Sequence, residues 1–318
     1  MKVVLSFPQT DGQTGVAIQD AFVELGHDVM VVDANVAPHT LADVCRAIQP
    51  RLVFCSRTIP LTAQIRCIKN TMPDVVTCVW CPDVRENLSE WNAWLPLFSE
   101  VNYLFTVAES AAERFREHVN PNSFWLPQGV QTSLYHPPNA ISSDDVDKYA
   151  CDISFAGGVE GGEKIHGWRT KFHDALNRIK GVKVKYFGCY GQPKITGEEH
   201  NKLAVLSKIN LGMSMALPWA SKYQSVRDYK VLAAGGFLLT KYSARMEEWF
   251  PCFGPNAQVD CLGLAIYRDE NDMIDAVKFW LDSDEDRKWM AANGKAWVDN
   301  GHTYTDRIRS SLERMQLG

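Results

Sequence analysis

No apolar run in the 318 residues approaches the length needed to cross a bilayer. The opening Met1-Lys-Val-Val-Leu-Ser-Phe-Pro8 is too short and too soon interrupted to act as a secretory signal, so a cytoplasmic protein is expected. A basic excess is also missing: Lys and Arg total 33 against 38 for Asp and Glu, a net charge of −5. That removes the electrostatic footprint of a protein that tracks a phosphate backbone. The nine cysteines are odd in number and scattered through apolar surroundings, the usage of reduced thiols and not of a disulfide framework. Cys78-Val-Trp-Cys81 has redox or zinc-ligand spacing, but it lies inside a strand pattern with no second pair, which reads as core. Internal repeats and low-complexity segments are lacking, and so is a D-x-D pair in a strand-end context. No metal site is therefore expected.

What is present is apolar material, 46% of the chain, enough for one large core or two of ordinary size. The first half alternates short apolar runs with amphipathic stretches, the pattern of a parallel sheet flanked by helices. Strands are expected at 3–7, 28–32, 52–56, 75–80, 103–107 and 124–126. The turn after the first strand, Pro8-Gln-Thr-Asp-Gly-Gln-Thr-Gly15, lacks the G-x-G-x-x-G spacing of a dinucleotide site, and Thr10, Asp11 or Thr14 can simply cap the helix that follows. Asp83 and Arg85 follow the fourth strand and should emerge at the carboxyl edge of the sheet, where open α/β sheets bind ligands. An Asp–Arg pair pinning the loop is the competing reading. Trp91 and Trp94 suit a packing ridge better than a sugar platform.

Proline and glycine density in Leu126-Pro-Gln-Gly-Val130 and Leu134-Tyr-His-Pro-Pro138 ends the first domain, 1–138, and the polar stretch 139–150 reads as a linker. A second domain, 151–300, restarts with a strand at 152–156 running into Gly157-Gly-Val-Glu-Gly-Gly162. These glycines, Gly157 and Gly158 first, permit close backbone approach to a ligand. Arg169 follows, either to reach a phosphate or as an ordinary surface residue. Trp280, Trp289 and Trp297 are expected to pack the late helices together, and His302 to cap or pack.

The chain is organised around Ser225-Val-Arg-Asp-Tyr-Lys-Val-Leu-Ala-Ala-Gly-Gly-Phe-Leu-Leu-Thr240. Val226, Tyr229, Leu232 and Ala233 recur at helical spacing, which places Arg227 and Lys230 on or beside the first turn. Free N–H groups and the positive dipole end lie there, so added cations suggest a phosphate-like ligand. Gly235-Gly236 ends the helix, and a buried strand follows.

This stretch resembles S-x-R-x-[FY]-E-x-L-A-x-G-G-F-L-L-T of the glycosyltransferases related to the spore-maturation CgeB protein, within the GT-B superfamily. Gly301-His-Thr-Tyr-Thr-Asp-Arg307 is similar to that family's closing H-T-Y-x-x-R, and Leu126 to Pro138 is similar to the passage ending many GT-B N-terminal domains. The resemblance implies an α/β fold of two Rossmann-like domains facing each other across a cleft, with residues 301–318 packing back toward the first. It implies a metal-independent transfer of a hexosyl or pentosyl group from a nucleotide-diphosphate sugar, most often a UDP-sugar, to an acceptor hydroxyl. No cofactor is implied. The acceptor is open among saccharide, protein, metabolite and, in a bacterial or phage-infected cell, a hydroxymethylated DNA base, the one role it leaves for nucleic acid. On the donor side the resemblance points to Arg227, Lys230, Lys222, Ser225, Gly157, Gly158, Arg169 and Tyr223. On the acceptor side it points to Asp11 and Asp83 as catalytic carboxylates.

Two departures stand out. Where the retaining E-x7-E pattern would place carboxylates, the chain has Lys222 and Lys230. Lysine cannot accept a hydrogen bond from a ribose hydroxyl, though it can pair with phosphate. Donor nucleotide, sugar and stereochemical course are left open by this. A nucleotide-sugar epimerase on the same fold, or a nucleotide-sugar-binding protein without turnover, are the rival readings.

Overall fold

The computed structural model describes residues 1–9, 14–85, 87–159, 168–214, 220–250, 252–253 and 263–318. Two parallel sheets organise it. The first is made of β1 (Lys2–Ser6), β2 (Asp28–Val31), β3 (Leu52–Cys55), β4 (Val76–Cys81), β5 (Tyr103–Thr106) and β6 (Ser123–Trp125), in the order β2-β1-β3-β4-β5-β6. The second is made of β7 (Cys151–Ala156), β8 (Val184–Phe187), β9 (Ser207–Gly212), β10 (Leu238–Lys241), β11 (Cys252–Phe253) and β12 (Leu264–Tyr267), in the order β11-β12-β10-β9-β7-β8.

Strands buried on both faces read as unbroken apolar runs, and β3, Leu-Val-Phe-Cys, is fully buried at all four positions. Register locks these runs together: Leu5 of β1 is paired with Val31 on one side and Phe54 on the other. Cys78 and Cys81 sit inside β4 with no exposure, and burial raises both thiols above their ordinary range. They are core residues. No helix among the described residues is long and apolar enough to cross a membrane.

The chain separates into two compact units. One holds Met1–Gln128, Trp219–Tyr223 and Tyr304–Gly318; the other holds Gly129–Pro218 and Gln224–Thr303. The division thus falls at Gln128, ten residues before the boundary drawn from the proline-rich passage. Within the first unit, helix Tyr304–Arg314 packs on helix Thr14–Glu24. The Arg307 guanidinium donates to the Gln128 carbonyl at 2.9 Å, and the Tyr304 hydroxyl donates to the Gln128 side chain at 3.2 Å.

The segment expected as linker is not extended. Helix Ser143–Tyr149 occupies most of it, because Ser142 and Asp145 form a reciprocal capping box and the buried Tyr149 hydroxyl donates to Glu199 at 2.7 Å. One aromatic anchor and a good cap replace the apolar period that the sequence lacks. Trp280 is buried against Phe237 and the partly buried Trp297 packs against Phe250, but Trp289 is half exposed, so only two of the three late tryptophans pack into the core.

Candidate anion pocket

The pocket lies in the second unit, where β7 ends and helix Val226–Ala233 begins. Gly157 ends β7 and donates its N–H to the Phe187 carbonyl of β8 at 2.8 Å. A Cβ at this position would lie 2.4 Å from Arg227 Nη2, so the absence of a side chain is what lets the guanidinium occupy its place. Arg227 Cζ also sits 5.2 Å from the centre of the Phe155 ring, a cation–π contact that fixes it from below. Gly158 faces open space.

The helix start is built by short polar side chains. Ser225 caps it, accepting the Arg227 N–H at 3.3 Å, and its own N–H donates to Ser214 Oγ at 3.2 Å. Beneath them lies Asp228, fully buried, which accepts from Ser214 Oγ at 3.0 Å, from Thr240 Oγ1 at 2.9 Å and from the Gln224 amide. Burial raises this carboxyl above its ordinary value, against the pull of the neighbouring Arg227. Asp228 therefore acts as an internal brace that joins the loop, the helix and β10.

Lys230, one turn on, holds its ammonium 4.4 Å from the centre of the Tyr135 ring. Burial, and then Arg227, push it down from 10.5 to about 8. His200, on helix Gly197–Leu206, is only 5% exposed and meets Tyr135 edge-on at 5.5 Å. Burial, then Lys230 and Arg227, push it down to about 3, so the imidazole is neutral. Around these side chains is a cavity of about 270 Å³, lined also by Gly157, Gly158, Lys194, Thr196 and Ser225. Among the described residues its lining includes the cations Lys194, Arg227 and Lys230 and no carboxylate. Clustered cations beside a helix N-terminus are suited to a phosphate-bearing ligand.

The structure therefore brings together Arg227, Lys230, Ser225, Gly157 and Gly158. It uses Arg169 differently: 4% exposed, this residue donates to the Gly158 carbonyl at 2.6 Å and the Met213 carbonyl at 2.7 Å, bracing two loops as a buried residue and not a surface one. Lys222 and Tyr223 group with the first unit, where Lys222 Nζ pairs with Glu109 at 3.0 Å and stands 5.3 Å from the Trp125 ring centre. The cavity is built without them. Lys194 and His200 had no signal in the sequence: Lys194 follows a turn in which Gly188 takes φ +77° and donates to the Pro193 carbonyl, and His200 lies on a helix with no marked polar face.

In the first unit, Asp83 follows β4 and its carboxylate pairs with Arg57, whose guanidinium stacks on Trp94 at 4.8 Å. Arg85, the partner suggested by sequence adjacency, stacks instead on Trp91 and Trp94 at 5.5 and 4.9 Å. Trp91 and Trp94 meet edge-to-face at 5.8 Å, with Trp91 2% exposed. Asp11 lies outside the described residues. His302 is buried and stacks on Trp297 at 3.6 Å. Among the described residues, no group of three or more His, Cys, Asp or Glu is placed to hold a metal ion.

Residues 164–313 match the family described as glycosyl transferase-like. No curated protein matches the chain. Among solved structures, an alpha-glucosyltransferase in complex with UDP-glucose and DNA containing an abasic site is similar, with a TM-score of 0.67 at 9% identity over 99% of each chain. A sucrose-phosphate synthase from Thermosynechococcus elongatus is similar with a TM-score of 0.65 at 8% identity, covering 99% of this chain and 98% of that one. A UDP-GlcNAc 2-epimerase from Neisseria meningitidis, bound to UDP-GlcNAc, is similar with a TM-score of 0.53 at 12% identity over 100% of each chain. At such identities the likeness establishes the fold, which is GT-B: two Rossmann-like units, each with a parallel sheet.

Proposed function

We propose that the protein is a glycosyltransferase that moves a sugar from a UDP-sugar to an acceptor hydroxyl, with the second unit holding the donor diphosphate. The observation that carries this reading is the cavity beside the Ser225-capped helix, with Arg227, Lys194 and Lys230 in its lining and no carboxylate among the described residues. The match to a glycosyl transferase-like family and the GT-B fold support it. The CgeB-related group remains the family proposed within that superfamily, on the two sequence segments described above.

Chemically, breaking the bond between sugar and diphosphate develops negative charge on the leaving oxygen. Fixed cations and helix N–H groups aimed at that charge stabilise the transition state more than the ground state. Arg227 is the first such group, held by Gly157 and Phe155, and Lys230 the second. With these in place the diphosphate can leave without a divalent ion, so metal-independent transfer is the mechanism proposed. Asp11 is proposed as the base toward the acceptor hydroxyl, ahead of Asp83, whose carboxylate is engaged by Arg57. The acceptor is a saccharide, protein or small metabolite, or a hydroxymethylated DNA base. The similar alpha-glucosyltransferase is in complex with DNA containing an abasic site, which keeps a DNA acceptor among these.

The test is incubation with a panel of nucleotide sugars, followed for released nucleotide. Acceptor-stimulated release supports transfer. Conversion of the sugar to its epimer, without net release, would put the chain with the epimerases on this fold. Tight binding with neither outcome would make it a nucleotide-sugar-binding protein.

A further inference from the structure

The cavity around Arg227 answers the charge of a diphosphate, but among the described residues its lining has no carboxylate to take hydrogen bonds from the hydroxyl groups that a nucleotide sugar also brings. His200 is differently equipped. It lines the same cavity, it is 5% exposed, and its Nδ1 is buried without a hydrogen-bond partner. A neutral imidazole carries one N–H and one lone pair, so the tautomer protonated at Nε2 presents Nδ1 as an acceptor. Burial first, then Lys230 and Arg227, act against a second proton, which keeps that lone pair free at any ordinary pH. Tyr135, edge-on at 5.5 Å, packs against the ring.

Resting on the reading of this cavity as a nucleotide-sugar site, we propose that His200 Nδ1 accepts a hydrogen bond from a ribose hydroxyl of the donor nucleotide and makes the pocket selective for ribonucleotides. A buried acceptor left unpaired is costly, so a ligand that supplies the missing donor gains and one that lacks it does not. Sites built to pair a substrate hydroxyl reject the analogue without it more strongly than apolar pockets reject a change of size. His200 would thus serve as a ring-nitrogen acceptor in a pocket whose lining carries three cations.

The experiment is calorimetric titration of UDP, 2′-deoxy-UDP and 3′-deoxy-UDP into wild type, His200→Phe, His200→Asn and His200→Gln. Wild type should prefer UDP over at least one deoxy analogue by about tenfold to a hundredfold. His200→Phe, which keeps the ring packing, should bind the three alike. His200→Asn places an amide oxygen near the Nδ1 position and should restore the preference, whereas His200→Gln, whose amide falls near Nε2, should not. Should the Phe variant fail to fold, the Asn and Gln pair decides the matter alone.

Equal binding of all three ligands by wild type would overturn the proposal. So would a preference that survives in His200→Phe, or an equal loss for all three ligands, which would put Nδ1 on a phosphate instead. UDP binding that depends on Arg227 but shows no ribose preference defeats only the assignment of His200. Absence of UDP binding to wild type defeats the nucleotide-sugar reading with it.

Discussion

Raising the pH through 8 should loosen nucleoside diphosphate binding by way of one side chain. In the empty pocket Lys230 is pushed down from 10.5 to about 8, first by burial and then by Arg227, a disfavouring of the ammonium by about 3 kcal/mol. A diphosphate bound beside it favours the charged form and raises the amine again, so above about 8 binding takes up a proton. Affinity is then flat near neutrality and falls by up to about tenfold per pH unit between that point and the value of the amine in the complex. The diphosphate is not the source, since its last proton leaves at about pH 6, and the slope is read below the pH at which the uracil N3–H ionises. His200 stays neutral throughout, and burial pushes the Tyr135 hydroxyl above its ordinary value. Stability of the empty protein moves the other way. Between about 8 and 10.5 the unfolded chain binds more protons at this lysine than the folded one does, so this residue makes stability rise with pH. The assay is titration of UDP at constant ionic strength across that window, in buffers of different ionisation enthalpy so that proton uptake is counted directly. Lys230→Met should bind weakly with a flat profile, and Lys230→Arg should bind with a flat profile at an affinity near that of wild type at neutral pH. A flat wild-type profile, or a slope that persists in Lys230→Met, would refute a place for Lys230 beside the bound anion.

Arg227→Ala should weaken UDP binding by about 1.5 to 3 kcal/mol, the worth of a charge-assisted contact, with an unchanged melting temperature; unchanged affinity in the folded variant would remove the donor site from this helix start. Gly157→Ala, whose added Cβ would stand 2.4 Å from Arg227 Nη2, should displace the guanidinium and raise the dissociation constant for UDP by roughly tenfold, with combined Arg227→Ala and Gly157→Ala no worse than Arg227→Ala alone. Transfer activity should survive EDTA, and complete loss that magnesium restores would overturn the metal-independent mechanism. Asp11→Asn should cut turnover by about two to four orders of magnitude with donor affinity kept, Asp83→Asn less; near-wild-type turnover in both would eliminate the carboxylate base.

The sheet was legible because burial on both faces leaves a plain mark. Leu52 to Cys55 is apolar at every position and emerges as β3, and the glycine-rich passage after Ala156 follows β7 as expected. Arg227 was legible for a different reason: Tyr229, Leu232 and Ala233 face the core at helical spacing, and that fixes what the first turn presents. Spacing alone did not show the surroundings of Lys222. Eight residues before Lys230, it shares a pattern with it, but it takes φ +53° and its ammonium is committed to Glu109. Arg169 stood between a phosphate ligand and an ordinary surface residue because sequence does not show that two loop carbonyls converge on it. The roles of His200 and Asp228 depend on contacts between elements distant in the chain, as when Asp228 meets Thr240 and Ser214, and periodicity carries no trace of those. The helix at Ser143–Tyr149 was missed because a cap and one buried tyrosine stabilise it where an apolar stripe is absent.

The central claim, that the second unit holds the donor diphosphate at this pocket, is tested most directly by hydrogen–deuterium exchange with and without saturating UDP. Slower exchange is predicted for the backbone around Gly157 and Gly158, through Lys194 to His200, and across Ser225 to Lys230, with no change around Arg57 and Asp83. Protection confined to the segments around Arg57 and Asp83, or no protection at the three pocket segments under saturation, would contradict it.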